Sequence, residues 1–409
     1  MENRRKFLRK TGLGLSSVLF LNTSEPLRSK EMIQRDQTIW DLDTASGLTI
    51  KTIETFTAVN QTIVRVTASD GSQGYGQVAN YHNDITATVL HRMIAGHFLG
   101  QDPYLTGALT EQAIESNYKY PWSFVCRAVA GIETALWDLR GKREEMPVCR
   151  FLGGSPKPVQ AYGSSMRRDI TPQAEAERLV RLRDARGFSA FKVRVGKVNG
   201  HDEDQWPGRT EELIPAIRRA VGDDVLLLAD GNSCYTPMKG ISVGRLMEDN
   251  NYSQFEEPCP YWELEWTAEV AASLDMPVSG GEQDNDMAQW KRMINMRAVD
   301  IVQPDICYLG GISRTLRVAE MAAQKGLTCV PHSANLSLIT VFTLHVMAAI
   351  RNAGPYLEYS IESTPWLNGL YEPELQIQNG KIQFPEGPGW GVHIRPEWLD
   401  QAVYQKSGD

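Results

Sequence analysis

The chain lacks the features that mark a disulfide-built, nucleic-acid-binding or membrane-spanning protein. Its 409 residues carry six cysteines, at positions 126, 149, 234, 259, 307 and 329, with no CxxC pair among them. That scatter argues against a disulfide framework or a cysteine metal cluster and points to buried free thiols. Basic charge is in deficit, with a formal net charge of −8 and a pI near 5.5. With no basic stripe to neutralise phosphates, no nucleic-acid partner is expected. What remains, 42% apolar and 22% charged, is an ordinary globular composition in a length that suits two or three domains.

The N-terminus departs from that composition. Arg4-Arg5-Lys6-Phe7-Leu8-Arg9-Lys10 precedes a weakly apolar stretch, Gly12 to Leu21, that is too short to cross a bilayer. The pattern resembles a twin-arginine export signal, although no A-x-A cleavage site follows. Residues 1–30 therefore read as an address, and the expected location is periplasmic, with cytoplasmic as the alternative. No stable membrane association is expected after export.

Between Leu226 and Ser360 the chain has a rhythm. Apolar runs end on Asp230, Glu256, Glu282, Asp305, His332 and Glu358, spaced 26, 26, 23, 27 and 26 residues apart. A period of that size marks one repeated unit: a buried strand, a polar group at its C-terminal end, and a helix leading to the next strand. Val159–Ser164 and Ala190–Val195 supply two earlier strands and bring the count to eight. Parallel strands with right-handed crossovers can close into a barrel whose strand ends share one mouth. A lone loop acid is ordinarily solvated, but Asp230, Glu256 and Glu282 would converge from three neighbouring strands. Converging carboxylates repel one another unless a cation lies between them, and hard oxygen ligands favour a magnesium-like ion.

Upstream, residues 46–79 read as a small antiparallel sheet, followed by helical patterns at 84–98, 105–117 and 122–143. Gly153-Gly154-Ser155-Pro156 marks a boundary. The expected domains are thus an α+β unit at 46–155, a barrel at 156–370 and a C-terminal segment at 371–409. That segment contains a hairpin about Asn379-Gly380, and its Pro388-Gly389-Trp390-Gly391 loop is expected to lead back to the first unit.

An α+β cap, a barrel, a Lys-x-Arg strand, and Asp, Glu-Glu-Pro, Gly-Glu, Pro-Asp and His at strand ends together resemble the enolase superfamily. The likeness is to its mandelate racemase/muconate lactonizing enzyme family, mandelate racemase subgroup, and spans about residues 46 to 395. It implies an α/β fold, a modified TIM barrel of the (β/α)7β type with an α+β capping domain that closes over the mouth. It implies that Asp230, Glu256 and Glu282 bind Mg²⁺. Asp305 and His332 would form an acid/base dyad, and Glu358 would support the bound carboxylate.

The chemistry of these residues is consistent with that. Removing a proton alpha to a carboxylate adds a second negative charge, and a divalent cation stabilises the resulting ene-diolate. A histidine whose far nitrogen faces a carboxylate is fixed in one tautomer with a raised pKa, as a general base requires. One departure matters: subgroup members commonly carry Lys-x-Lys where this chain has Lys192-Val193-Arg194. Residues two apart share a strand face, so both point into the barrel, yet a guanidinium is a poor base. Racemisation needs a proton shuttle on both faces, whereas dehydration can run from one. Lys192 stays open as a second acid/base, depressed in pKa by Arg194 and the metal, or as an electrostatic group.

The expected activity is therefore Mg²⁺-dependent dehydration of an acid sugar, an aldonate-type 2,3-dihydroxy acid going to its 2-keto-3-deoxy acid. A racemase, epimerase or cycloisomerase on the same site is the alternative, and a periplasmic sugar-acid binding protein is the non-enzyme alternative. The expected partners are a small-molecule carboxylate substrate and further copies of the chain in a homo-oligomer. Asn232, Tyr81 and His82 are candidate substrate contacts, and Tyr118, Tyr120 and Trp122 candidate pocket aromatics. Glu257 is expected on the strand face opposite Glu256. The loop Phe56 to Gln61 is short for a mobile lid, which suggests an open or partner-completed pocket.

Overall fold

The computed structural model describes residues 42–409, so the twin-arginine segment expected at 1–30 lies outside the described residues. Among the described residues no helix is long and apolar enough to cross a membrane. All six cysteines are free and buried.

The cap begins with an antiparallel meander, β1 (Ile50–Ala58), β2 (Gln61–Ala68) and β3 (Gln73–Gln77). Asn60 makes the first turn at φ 56°, and Asp70 closes the second by accepting from the Ser72 amide at 3.0 Å. The sheet packs on the helix Ser123–Arg143, which is apolar on more than one face because the barrel covers its other side. The C-terminus does return to the cap: the strand Val403–Gly408 pairs antiparallel with β1 as a fourth strand. On the way, the Trp390 amide donates to Asp138 of the long helix at 3.0 Å.

Eight parallel strands form the barrel. They are β4 (Val159–Ser164), β5 (Ala190–Arg194), β6 (Leu226–Asp230), β7 (Gln254–Glu256), β8 (Val278–Gly280), β9 (Ile301–Val302), β10 (Thr328–Cys329) and β11 (Leu357–Ser360). They run in order from β4 to β10, β11 pairs with β4, and a Cys329–Ala353 bridge joins β10 to the segment that leads into β11. Helices follow the strands, as in Arg209–Val221 and Pro237–Asp249. The later strands are shorter than their apolar runs suggested. Pro304 and Pro331 have no amide to give the ladder, so β9 and β10 stop before them. The Asn379-Gly380 hairpin is present and its second arm pairs with β4, so it caps the barrel's first strand.

Cap and barrel are joined by buried polar contacts. Glu133 of the long helix accepts from the Ile312 and Ser313 amides, both at 2.9 Å, at the start of the barrel helix Ile312–Gln324. Gln77 at the end of β3 accepts from the Leu338 amide at 3.0 Å and donates to Ser337 Oγ at 3.0 Å. These bonds fix the cap across the C-terminal ends of the strands, where the repeat places its polar groups.

Candidate active site

Strand register sets the site's main row. Arg194 pairs with Asp230, and Asp230 with Glu256, at one height across β5, β6 and β7. Lys192 lies two residues earlier on the same face of β5 and is buried, as are the other three. The Arg194 guanidinium rests on the Asp230 carboxylate and also donates to the Ser165 carbonyl at 3.1 Å and to Asn232 Oδ1 at 3.0 Å. Lys192 Nζ contacts Glu256 directly and lies 2.8 Å from Glu358 Oε1. Burial alone would lower the lysine's pKa; the Glu256 and Glu358 carboxylates outweigh it and raise the pKa. This reverses the expected depression of Lys192. Glu358 is also buried, yet Lys192 brings it below the ordinary carboxylate range, and Ser164 Oγ donates to it at 2.7 Å.

The acid/base pair sits across the mouth. Asp305 lies past the end of β9 as the N-cap of the helix Ile306–Leu309, its Oδ1 accepting the Cys307 and Tyr308 amides at 2.8 and 3.0 Å. Its Oδ2 is 2.8 Å from His332 Nδ1. The other imidazole nitrogen, Nε2, is 3.3 Å from Glu282 Oε2 and 3.9 Å from Glu358 Oε2. Burial opposes the imidazolium, but Glu282 and then the Asp305 hydrogen bond overcome it and push the pKa up to about 10. Glu282 follows Gly281, whose φ of 107° turns the chain toward the mouth where a β carbon would strike the Trp290 ring.

A cavity of about 720 Å³ opens over this arrangement, lined by His332, Asp305, Glu282, Arg194 and Asn232 among others. Lys192, Asp230, Glu256 and Glu358 are fully buried and do not line it. Of the weaker candidates, Tyr81 lines the cavity but His82 does not. His82 is the exposed residue before the helix Asn83–Val89, with φ 50°. Tyr118 and Tyr120 are exposed on the cap away from the cavity, and Trp122 packs against the cap core. The short β1–β2 turn does reach the cavity, through Asn60, whose carbonyl accepts from Asn80 Nδ2 at 2.7 Å.

Glu257 corrects the sequence expectation. Its backbone takes φ 40°, so strand alternation fails at that residue and its side chain lines the same cavity. Burial, then Glu282 and Glu256, push its carboxyl up to about 8. Two other residues were missed. Arg168 donates to the Gly196 carbonyl at 3.0 Å and to Asn232 Oδ1 at 2.9 Å, and burial beside Arg194 brings it down to about 9. Gln303 donates to Glu256 Oε2 at 2.7 Å. Asn232 is a hub, accepting from both arginines and donating to Asp230 Oδ2 at 3.1 Å and Glu257 Oε2 at 3.3 Å.

Among the described residues, no three Asp, Glu, His or Cys side chains are gathered closely enough to enclose an ion as they stand. Asp230 and Glu256 instead turn to Arg194 and Lys192. By chemistry and position the donor set fits Mg²⁺: three buried carboxylates at the ends of adjacent strands, each now beside a cationic or basic side chain, Arg194, Lys192 or His332.

Residues 38–153 match the mandelate racemase / muconate lactonizing enzyme N-terminal domain, and residues 174–398 match the enolase C-terminal domain-like family. The chain belongs to the mandelate racemase/muconate lactonizing enzyme family of the enolase superfamily, a family of enzymes that use Mg²⁺. It is 30% identical over 340 residues to arabinonate dehydratase of Saccharolobus solfataricus, covering 81% of this chain and 87% of that one. It is 30% identical over 352 residues to D-galactarolactone cycloisomerase of Agrobacterium fabrum, covering 83% and 90%. A crystal structure from Roseobacter denitrificans, carried under a provisional racemase name, is 55% identical with a TM-score of 0.87, covering 88% of this chain and all of that one. A magnesium complex from Paracoccus denitrificans Pd1222 is 27% identical with a TM-score of 0.81, covering 88% and 99%.

Proposed function

We propose that the protein is a Mg²⁺-dependent acid-sugar dehydratase converting an aldonate-type 2,3-dihydroxy acid to its 2-keto-3-deoxy acid. The observation that carries this is an asymmetry: His332 lines the cavity, whereas Lys192 is buried between Glu256 and Glu358, and Arg194 holds Asp230. One face of the substrate then has a proton acceptor, and the other meets fixed positive charge. Elimination needs only the first.

Asp230, Glu256 and Glu282 would hold the ion, which when bound supplies Lewis-acid stabilisation of charge developing on the substrate carboxylate. With Glu282 committed to the ion, His332 loses the charge that most raises its pKa, and the neutral imidazole's Nε2 takes the proton from C2, with Asp305 fixing the tautomer through Nδ1. The same nitrogen then gives a proton to the 3-hydroxyl, which leaves as water, and the enol product becomes the 2-keto-3-deoxy acid. Lys192 and Arg194 act as fixed charges that oppose the negative charge building on the substrate. Export of the protein by the twin-arginine segment belongs to the same proposal, as an enzyme that folds before crossing.

A racemase or cycloisomerase on the same site is the competing activity, in keeping with the names of two of the similar proteins. A panel of acid sugars incubated with and without EDTA separates the two. Keto-acid formation lost with EDTA supports dehydration; substrate interconversion with no keto acid supports isomerisation.

A further inference from the structure

The inner and outer parts of the cavity differ in chemistry. Its guanidinium groups, Arg168 and Arg194, both donate to Asn232 Oδ1 and so lie together at the barrel end beside Asp230. The cavity is also lined by Glu362, whose charge is already met by Arg178 at 2.9 Å, so a second substrate carboxylate finds no free basic partner there. Aromatic rings line it on two loops: Tyr261 and Trp262 follow β7, and Trp366 follows β11, four strands on and so across the mouth. Trp262 is 55% exposed, and Tyr261 braces it edge-on with ring centroids 5.1 Å apart. Exposed, braced rings over a polar cavity offer a flat face that an open-chain polyol uses poorly and the apolar face of a sugar ring covers well. The volume agrees, since about 720 Å³ holds on the order of two dozen waters, well beyond the thirteen non-hydrogen atoms of a six-carbon aldonate.

Resting on the dehydratase proposal, we infer that the substrate is a monocarboxylate extended by an uncharged sugar ring, a glycosyl aldonate, with that ring held between Trp262 and Trp366. A glycosidic link at O4 or O6 leaves the C2 proton and the C2 and C3 hydroxyls free, so the elimination is unchanged and atoms balance as before.

The test is calorimetric binding, with Mg²⁺ present, of gluconate, cellobionate, maltobionate, lactobionate and galactarate to the full protein and to Trp262→Ala and Trp366→Ala. At least one disaccharide acid is expected to bind tenfold or more tighter than gluconate, with galactarate weakest. Each substitution should remove that preference while shifting gluconate affinity less than twofold. Equal binding of gluconate and all three disaccharide acids, or galactarate binding tightest, overturns the inference. So does a change in oligomer mass in the variants without a change in binding, because the rings would then belong to a subunit contact. Keto-acid formation is followed separately. Ring preference without keto acid contradicts the dehydratase proposal alone, and keto acid without ring preference contradicts this inference alone.

Discussion

Arg194 and Asp230 face each other in register on adjacent barrel strands, with the guanidinium directly on the carboxylate. A guanidinium does not give up its proton near neutral pH, so this pairing commits one side of the site to charge and not to proton transfer. Arg194→Lys is expected to slow dehydration roughly 10- to 100-fold, since the bonds to Ser165 and Asn232 are lost. It should also open slow epimerisation at C2, read by chiral chromatography of recovered substrate. Faster dehydration in this variant would show that Arg194 is a poor substitute for a second base.

Glu256→Gln tests the metal triad. The change keeps the side chain's size and removes one anionic ligand, so Mg²⁺ affinity should fall at least about 100-fold and activity with it. Titration calorimetry with Mg²⁺ alone gives a readout independent of turnover. Unchanged affinity and activity would remove Glu256 from the triad.

The residues at strand ends were legible because a barrel writes them with a period: each apolar run stops at the residue that meets the mouth. Asp230, Glu256, Glu282, Asp305 and His332 follow that rule; Glu358 departs from it, since β11 runs on through Tyr359 to Ser360. Glu257 was misplaced because alternation assumes extended backbone, and its φ of 40° breaks the alternation. Arg168, Asn60 and Asn80 lie in loops, where no period tells which side chain turns inward. His82 and Tyr81 are adjacent in an irregular stretch, and Tyr81 reaches the cavity whereas His82, at φ 50°, does not. Lys192 was expected to have a depressed pKa from Arg194 and the metal; Glu256 and Glu358 reverse the sign, and Glu358 arrives from a strand 166 residues away in sequence.

Acid stability should depend on His345, far from the chemistry. Its Nδ1 accepts the Cys149 amide at 3.1 Å and its Nε2 faces the Trp390 carbonyl at 3.2 Å, which ties the barrel to the cap and the C-terminal loop. Burial brings its pKa down to about 3, below the ordinary 6.5. Between those values the unfolded chain binds the proton and the folded one does not, so stability falls as pH drops from about 6.5. The loss should reach on the order of 3 kcal/mol by pH 4. His345→Gln keeps a donor and an acceptor and should flatten that limb in urea titrations at pH 7, 5.5 and 4. An unchanged slope would show that other groups set the acid limit.

Deleting residues 1–30 should leave fold and turnover intact while moving the protein out of the periplasmic fraction. Circular dichroism, keto-acid assay and cell fractionation of the two chains check it. Loss of the fold on deletion would make the segment part of the mature domain.

The most direct test of one-sided elimination by His332 is proton magnetic resonance of the reaction in D₂O, comparing the unaltered protein with His332→Asn. The unaltered protein should give a keto acid carrying a single deuterium at C3. His332→Asn should lose dehydration by about 10²- to 10⁴-fold and lose exchange of the C2 proton with it. Exchange at C2 that persists in His332→Asn, or rapid C2 epimerisation by the unaltered protein with no keto acid formed, would contradict the account.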